Sequence, residues 1–306
     1  MSNSCKLSSL IQNYISINKR IVQSTADLNG RAFRELVDLA GDVDADQITP
    51  DDAELFQAYL IEKGLSKTSA NILVASASPV FNWALKKNII EKNPFAELKK
   101  FKIARRPVSI YEPGEIRRLM EIASDLWKAR ILLGLSTLRR GEVLNLTIKD
   151  IDFQNQTVQI TPKIASGYTW PWQPKDCETR IVPIIPRLAE LLMKIAETLP
   201  KGQPYICITP QRYEFLKMKG VLKYRWCSNP ENNFERNFRF LLKRAMISGK
   251  VFHDLRKTGL TLLSDGMRSR EIMEIAGHSN LKTTEKYLGI RKDRLSRARE
   301  LLDLGV

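Results

Sequence analysis

HDLRKTGLTLLSDGMRSREIMEIAGHSNLKTTEKY, residues 253–287, is the stretch on which the reading of the whole chain turns. The protein has 306 residues and only two histidines, and both lie here. His253 stands three residues before Arg256, a spacing that puts the two on one helix face. His278 follows a glycine and precedes Tyr287 by nine positions. Working outward, STLRRGEVLNL carries Arg139 three residues before Glu142, and QPKDCETRIVPI carries Lys175. Each of these six residues has a plain explanation by itself. Arg139 suits a helix-surface ion pair, Lys175 a hairpin tip, a histidine a satisfied structural role, and the tyrosine packing. Taken together they form one ordered series of groups able to work on a phosphate.

Composition sets the frame. A chain of this length usually makes two domains, each large enough to bury a core. Hydrophobic residues at 43% and charged residues at 27% suit a soluble globular protein. No apolar run reaches the roughly 18 to 20 residues of a membrane span, and the first twenty residues lack the build of a secretory signal. A cytoplasmic, nucleoid-associated protein is expected. Cys5, Cys177, Cys207 and Cys227 are scattered without a CxxC pair, which argues against a disulfide framework and a zinc site. The net charge is +15, and its placement is uneven. Residues 1–100 carry twelve basic and twelve acidic side chains, so the whole excess lies beyond them. A field of that sign attracts polyanions, of which nucleic acid is the commonest.

Four helical segments are predicted before residue 95: LSSLIQNYISI, TADLNGRAFRELVDLAG, ITPDDAELFQAYLIEKG and KTSANILVASASPVFNWALKK. The third starts with Thr49 as N-cap and Pro50 at the first helical position, with Asp51 and Asp52 at the positive end of the dipole. The fourth has small residues along one side, which permit close approach of another helix or of a DNA backbone. DVDADQITPDDA resembles a calcium loop only at Asp42, Asp44 and Asp46. Gln47 occupies the position of the turn glycine and Ala53 that of the bidentate glutamate, so capping is the better reading. A basic linker over 99–108 follows, with Lys99, Lys100, Lys102, Arg105 and Arg106 ahead of Pro107. It is either a solvated segment or a strap that tracks phosphates. Beyond it, YEPGEIRRLMEIA and KARILLGLSTLRRGEVLNL read as helices, TVQITPK and TRIVPI as strands of a small sheet. RLAELLMKIAETL, NNFERNFRFLLKRAM, HDLRKTGLTLLSDG, REIMEIAG and the tail RKDRLSRARELLDLG return to helix. Leu295, Ala298, Leu301 and Leu302 give that tail an apolar stripe.

The ordered set Arg, Lys, HxxR, GH, Tyr resembles the tyrosine recombinase (phage integrase) family of site-specific DNA recombinases. STLRRGEVLNLTIKDID is similar to the family's first arginine box, and HDLRKTGLTLLSDG with REIMEIAGHSNLKTTEKYLG is similar to its second. The resemblance covers nearly the whole chain. It implies a mainly α fold: an all-helical core-binding domain over 1–98, the linker over 99–108, and a mixed, mostly helical catalytic domain with a small antiparallel sheet over 109–306. It implies Arg139 and Arg256 as a phosphate clamp with His278 as a further donor, and His253 in proton transfer. Lys175 becomes the acid for the departing 5′-oxygen, and Tyr287 the nucleophile of a 3′-phosphotyrosyl intermediate. No metal and no cofactor are implied. The expected partner is double-stranded DNA, held by a homo-tetramer whose C-terminal helices dock between protomers, with room for an accessory DNA-bending or directionality protein.

Several alternatives stay open at this point. Arg140 adjoins Arg139, but neighbouring helix positions point about 100° apart, so only one faces the site. Lys163 closes the first strand and competes with Lys175 as the acid. Trp170 and Trp172 suit either packing under the hairpin or stacking on bases. AGH stands where the family often has LGH. The chain opens on the core-binding segment with no arm domain ahead of it, which suggests simple core sites. Type IB topoisomerases share much of the catalytic set, and a DNA-binding protein without catalysis is the reading from another class. A metal-dependent nuclease would need clustered carboxylates. Asp150 and Asp152 are the nearest candidates, and capping accounts for them.

Overall fold

The computed structural model describes residues 5–18, 21–104, 108–175, 179–224 and 230–277. The chain divides into two compact units, Met1–Arg106 and Pro107–Val306. The first unit holds α1 (Leu7–Ile17), α2 (Gln23–Ala40), α3 (Pro50–Glu62) and α4 (Lys67–Lys86). The four helices predicted from periodicity are the four that form. The start of α3 follows its sequence signal. Thr49 accepts from the Asp52 backbone N–H at 3.2 Å, and the Asp52 carboxylate accepts from that of Thr49 at 2.9 Å. This reciprocal cap satisfies two of the amides that a helix start leaves unpaired. The acidic stretch ahead of it serves as connection. Asp42 accepts from the Ser8 amide at 2.9 Å and from its hydroxyl at 2.7 Å, which ties α1 to the chain entering α3.

The core of this unit is aromatic at its centre. Phe33 stacks on Phe81 at 5.5 Å between ring centroids, and Phe95 meets both Phe81 and Phe56. Each fully buried phenylalanine contributes about 1.5–3 kcal/mol. Phe95 lies beyond α4, so its burial folds the chain after Asn93-Pro94 back onto the helices.

The second unit opens with α5 (Pro113–Ile122), α6 (Asp125–Leu135) and α7 (Arg140–Leu144). Here the structure corrects the sequence reading of one helix through KARILLGLSTLRRGEVLNL. Thr137 takes a left-handed φ of +72°, which ends α6 and lets α7 start in a new direction after Arg139. Three short strands form an antiparallel sheet in chain order: β1 (Ile151–Asp152), β2 (Thr157–Ile160) and β3 (Arg180–Pro183). Val158 pairs with Val182, and Ile160 with Arg180. The strand ends were predicted too long, and β1 was not anticipated because two residues carry no readable alternation. The connection folds over the sheet. Trp170 is fully buried, stacked on Tyr205 at 3.8 Å, and its indole N–H donates to Asn145 Oδ1 at 2.7 Å. Trp172 is buried too, so both tryptophans are packing residues.

Then come α8 (Pro186–Thr198), α9 (Pro210–Met218), α10 (Val221–Tyr224), α11 (Phe234–Arg244), α12 (Phe252–Leu263) and α13 (Ser269–Ala276). Of these, α9 and α10 were missed: PQRYEFLKM is short and carries little apolar periodicity. The tail helix predicted after residue 290 lies outside the described residues. Among the described residues no helix is long and apolar enough to cross a membrane.

What sets the site is the approach of α12 to α6. A Cβ added at Gly259 would stand 1.9 Å from the Leu135 carbonyl oxygen. The glycine therefore permits a main-chain contact that holds α12 against the end of α6. Gly259→Ala should push the helices apart and cost about 1–3 kcal/mol. Thermal unfolding checks this, with Tm expected to fall by several degrees; an unchanged Tm would show that the contact is dispensable.

Candidate active site

Arg139 sits at the N-cap of α7 in extended conformation. Its amide donates to Glu142 Oε2 at 2.7 Å, and its Nη1 donates to Glu142 Oε1 at 3.0 Å. Its Nη2 reaches across the unit to the Gly277 carbonyl at 3.0 Å. Arg140, the first residue of α7, points elsewhere and pairs with Glu235 on α11 at 2.9 Å; the extended N-cap conformation of Arg139, not a turn of helix, separates the two side chains.

Arg256 rises from α12 and is 1% exposed. Its Nη1 donates to the Thr137 carbonyl, and its Nη2 to the Ala276 carbonyl at 2.6 Å. The two arginines, 117 positions apart in sequence, thus end on consecutive carbonyls at the C-terminus of α13. That helix end carries the negative pole of the dipole, which favours cations. Gly277 closes α13 in the left-handed conformation, φ +61°, and His278 is the next residue. His278 and Tyr287 lie outside the described residues, as do Arg105 and Arg106.

His253 is on α12 one turn before Arg256, with its side chain exposed. Its pKa is lowered from the ordinary value. Partial enclosure of the ring is the first cause, followed by the charges of Arg256 and Lys257; Asp254 opposes them and Arg139 adds to them. The imidazole is therefore neutral at pH 7, the form that accepts a proton.

The structure gives Glu142 more partners than the Arg139 pair expected from sequence, and brings in Arg180, which the sequence reading passed over. Glu142, 2% exposed, accepts a two-pronged interaction from Arg180, with Nη1 to Oε1 at 2.9 Å and Nη2 to Oε2 at 2.6 Å. Burial pushes the Glu142 pKa up, but the Arg180 bonds and charge, then Arg139 and Arg256, more than reverse this and hold the group ionised. Arg180 Nε donates to the Ile275 carbonyl at 2.9 Å. The signal for Arg180 was present in sequence. In TRIVPI, alternation puts position 180 on the same inward face as Val182, where an arginine needs a buried partner.

The two lysines differ in setting. Lys163 is held by Asp150 Oδ1 at 2.6 Å and by Thr161 through Oγ1 at 2.8 Å and the carbonyl at 3.0 Å. Asp150 also caps Thr147, so it does more than end a helix. Lys175 is exposed on the connection ahead of β3. In the other unit, Lys99, Lys100 and Lys102 are exposed on a strap whose main chain is pinned. Gln57 donates to the Lys99 carbonyl at 3.1 Å, and Asn71 exchanges two bonds of 2.9 Å with the Phe101 backbone. Among the described residues no group of three or more His, Cys, Asp or Glu could hold a metal ion.

Comparison with known proteins identifies the family of the chain. The profile of the phage integrase family matches residues 111–294, and that of the phage integrase SAM-like domain matches residues 6–103. A tyrosine recombinase from Pseudothermotoga lettingae is 29% identical over 234 residues, covering 74% of this chain and 72% of its own length. The Tn1549 transposon integrase, solved with transposon right end DNA, superposes with a TM-score of 0.75 at 20% identity, covering 97% of this chain and 99% of that one. The lambda integrase tetramer bound to a Holliday junction gives a TM-score of 0.70 at 19% identity, covering 95% of this chain and 79% of that one. The chain belongs to the phage integrase family and is a tyrosine-type site-specific DNA recombinase.

Thr137 carries the cost of the arrangement. A β-branched residue at φ +72° is a backbone outlier, and its buried Oγ1 finds no hydrogen-bond partner among the described residues. Such strain amounts to about 1–3 kcal/mol. Thr137→Gly should therefore raise stability by about 1 kcal/mol after the glycine entropy is counted, read as a higher Tm or denaturant midpoint. A lower midpoint would mean that the threonine contacts outweigh the strain.

Proposed function

We propose that this protein cuts and rejoins double-stranded DNA at a specific site through a 3′-phosphotyrosyl intermediate on Tyr287. The observation that carries the reading is the convergence of Arg139 and Arg256 on the two carbonyls just before His278. A tyrosine of pKa about 10 is only roughly one part in a thousand ionised at pH 7, so its attack needs a proton acceptor and a cationic site. The Tyr287 oxygen bonds to phosphorus while its proton passes to His253. Charge gathers on the non-bridging oxygens, which suit guanidinium forks that stay protonated. Arg139 and Arg256 hold those oxygens with His278 as a third donor, and each such donor is worth about 10²- to 10³-fold in rate. The bond to the 5′-oxygen breaks as Lys175 protonates it. A 5′-hydroxyl from a partner strand reverses these steps without ATP, because the phosphotyrosyl link keeps the bond energy.

The chain is organised for this as a helical core-binding domain over 1–98, a basic linker over 99–108, and a catalytic domain over 109–306. The +15 charge and the exposed Lys99, Lys100 and Lys102 support contact with the DNA backbone. Four protomers act on two cytoplasmic, nucleoid sites, each passing its C-terminal helix to a neighbour, with an accessory DNA-bending protein as a further partner. The lambda tetramer on a Holliday junction supports this assembly by analogy of fold. Match to the integrase family favours strand exchange over supercoil relaxation.

Covalent trapping tests the reading. The protein is incubated with nicked DNA fragments flanking its own gene, without added metal, and run on a denaturing gel. A protein–DNA adduct is expected with the wild type and none with Tyr287→Phe; an adduct that persists in the variant assigns the nucleophile elsewhere.

The choice of acid has its own test. All three protons of the Lys163 ammonium face acceptors, which supports Lys175. Lys175→Ala should slow cleavage by about 10²- to 10⁴-fold. A substrate with sulfur at the 5′-bridging position, whose leaving group needs no proton, should restore it. The same rescue seen in Lys163→Ala instead would move the role to Lys163.

A further inference from the structure

Three consecutive carbonyls end α13, and three arginines from different parts of the catalytic unit take one each. Arg180 Nε donates to Ile275, Arg256 to Ala276 and Arg139 to Gly277. Arg180 also places its guanidinium fork on both oxygens of Glu142. A Cβ placed on Gly277 would stand 3.0 Å from Arg180 Cδ and Nη1, so Arg180 packs directly under the turn that leads into His278.

Charge defines what this grip does. Glu142 is needed where it is, because it caps α7 through the Arg139 amide and orients the Arg139 side chain. Its negative charge, buried beside the same guanidinium, also weakens that guanidinium as a partner for phosphate. Counted over these four described residues, Arg139, Arg180 and Arg256 bring three positive charges and Glu142 one negative, a net charge of +2. A phosphodiester carries one negative charge and gains more on its non-bridging oxygens as the fifth bond forms. Without Arg180, Glu142 would be neutralised by Arg139 itself.

We propose that Arg180 is a positioning residue for strand cleavage, which neutralises Glu142 and fixes the end of α13 so that the charges of Arg139 and Arg256 serve the scissile phosphate. The proposal rests on the recombinase reading above. It assigns Arg180 no contact with DNA: its guanidinium is 6% exposed and committed to Glu142 and Ile275.

The test compares Arg180→Met, Arg180→Lys and the double variant Arg180→Met/Glu142→Gln on the nicked fragment that traps the wild-type adduct. Arg180→Met should slow adduct formation by about 10²-fold. The double variant removes both charges and restores the net +2, so it should recover at least about tenfold over Arg180→Met. A residue that merely braced the fold would leave the double variant as slow as the single. The second readout needs no DNA. With only two histidines in the chain, the His253 imidazole signal can be followed by NMR titration. His253 feels Arg256, Lys257 and Asp254 on its own helix and Arg139 across from it. Loss of Arg180 leaves Glu142 unbalanced and should move the His253 midpoint upward; the double variant should bring it back. Should Arg180→Met fail to fold, Arg180→Lys and the double variant carry the test. Both are expected to titrate His253 at the wild-type position and to cleave within about tenfold of it. Wild-type cleavage in Arg180→Met, or a folded double variant about 10²-fold slower than the wild type, overturns the proposal. If the wild type itself gives no adduct, the recombinase reading fails, and the His253 titration still decides what Arg180 does.

Discussion

A single buried carboxylate holds the catalytic unit in register. Glu142 accepts from the Arg139 amide, from the Arg139 side chain and twice from Arg180, so one group joins the start of α7 to β3 and, through Arg180, to the end of α13. Taking a carboxylate out of water costs several kcal/mol unless it is paired and fully hydrogen-bonded. Here every strong acceptor direction is used, and that satisfaction fixes the geometry: moving any of the three elements would strand a buried charge. An apolar core could hold the same helices together, but it would not dictate where two guanidinium groups end.

The fold around this cluster is arranged to let main chains meet. Gly259 brings α12 against the Leu135 carbonyl, and the left-handed turn at Thr137 aims its own carbonyl at Arg256. The end of α13 offers three more carbonyls. Carbonyl oxygens accept without carrying a formal charge, so they orient the arginines while leaving their positive charge in place. Carboxylates in the same positions would orient them equally well and neutralise them. Among the described residues of this cluster Glu142 breaks the pattern, and Arg180 is set against both of its oxygens.

How much of this was legible depended on the kind of signal. Helices α1 to α4 were readable because their apolar positions recur at helical spacing and because Thr49 and Pro50 mark a start. The break between α6 and α7 was not, since LSTLRRGEV keeps good helix formers on both sides and nothing local shows that Thr137 adopts φ +72°. That conformation is imposed by what Arg256 and α12 require, a tertiary demand that overrides propensity. At the site, Arg139, His253 and Arg256 stood out in sequence through their order and local motifs, from which the resemblance drew their proposed roles. For Arg180 the alternation of TRIVPI marks only an inward arginine; its partner lies thirty-eight residues away, and its meaning appears only when β3 and α7 share a wall. The tryptophans show the converse. Their position in the connection allowed packing or base stacking, and the structure decides for packing, with Trp170 spent on Tyr205 and Asn145 inside the core.

The basic strap after α4 obeys the same logic as the catalytic cluster at lower cost. Asn71 pairs with the Phe101 backbone as a neighbouring strand would, and Gln57 takes the Lys99 carbonyl. Both contacts restrain main chain, and Lys99, Lys100 and Lys102 keep their side chains in solvent. A free segment of the same composition would lose conformational entropy on meeting a polyanion, on the order of 1–2 kcal/mol per residue fixed. Pinning the backbone in advance removes part of that loss. In both places neutral amides and carbonyls share in the holding, and they do so without cancelling positive charge.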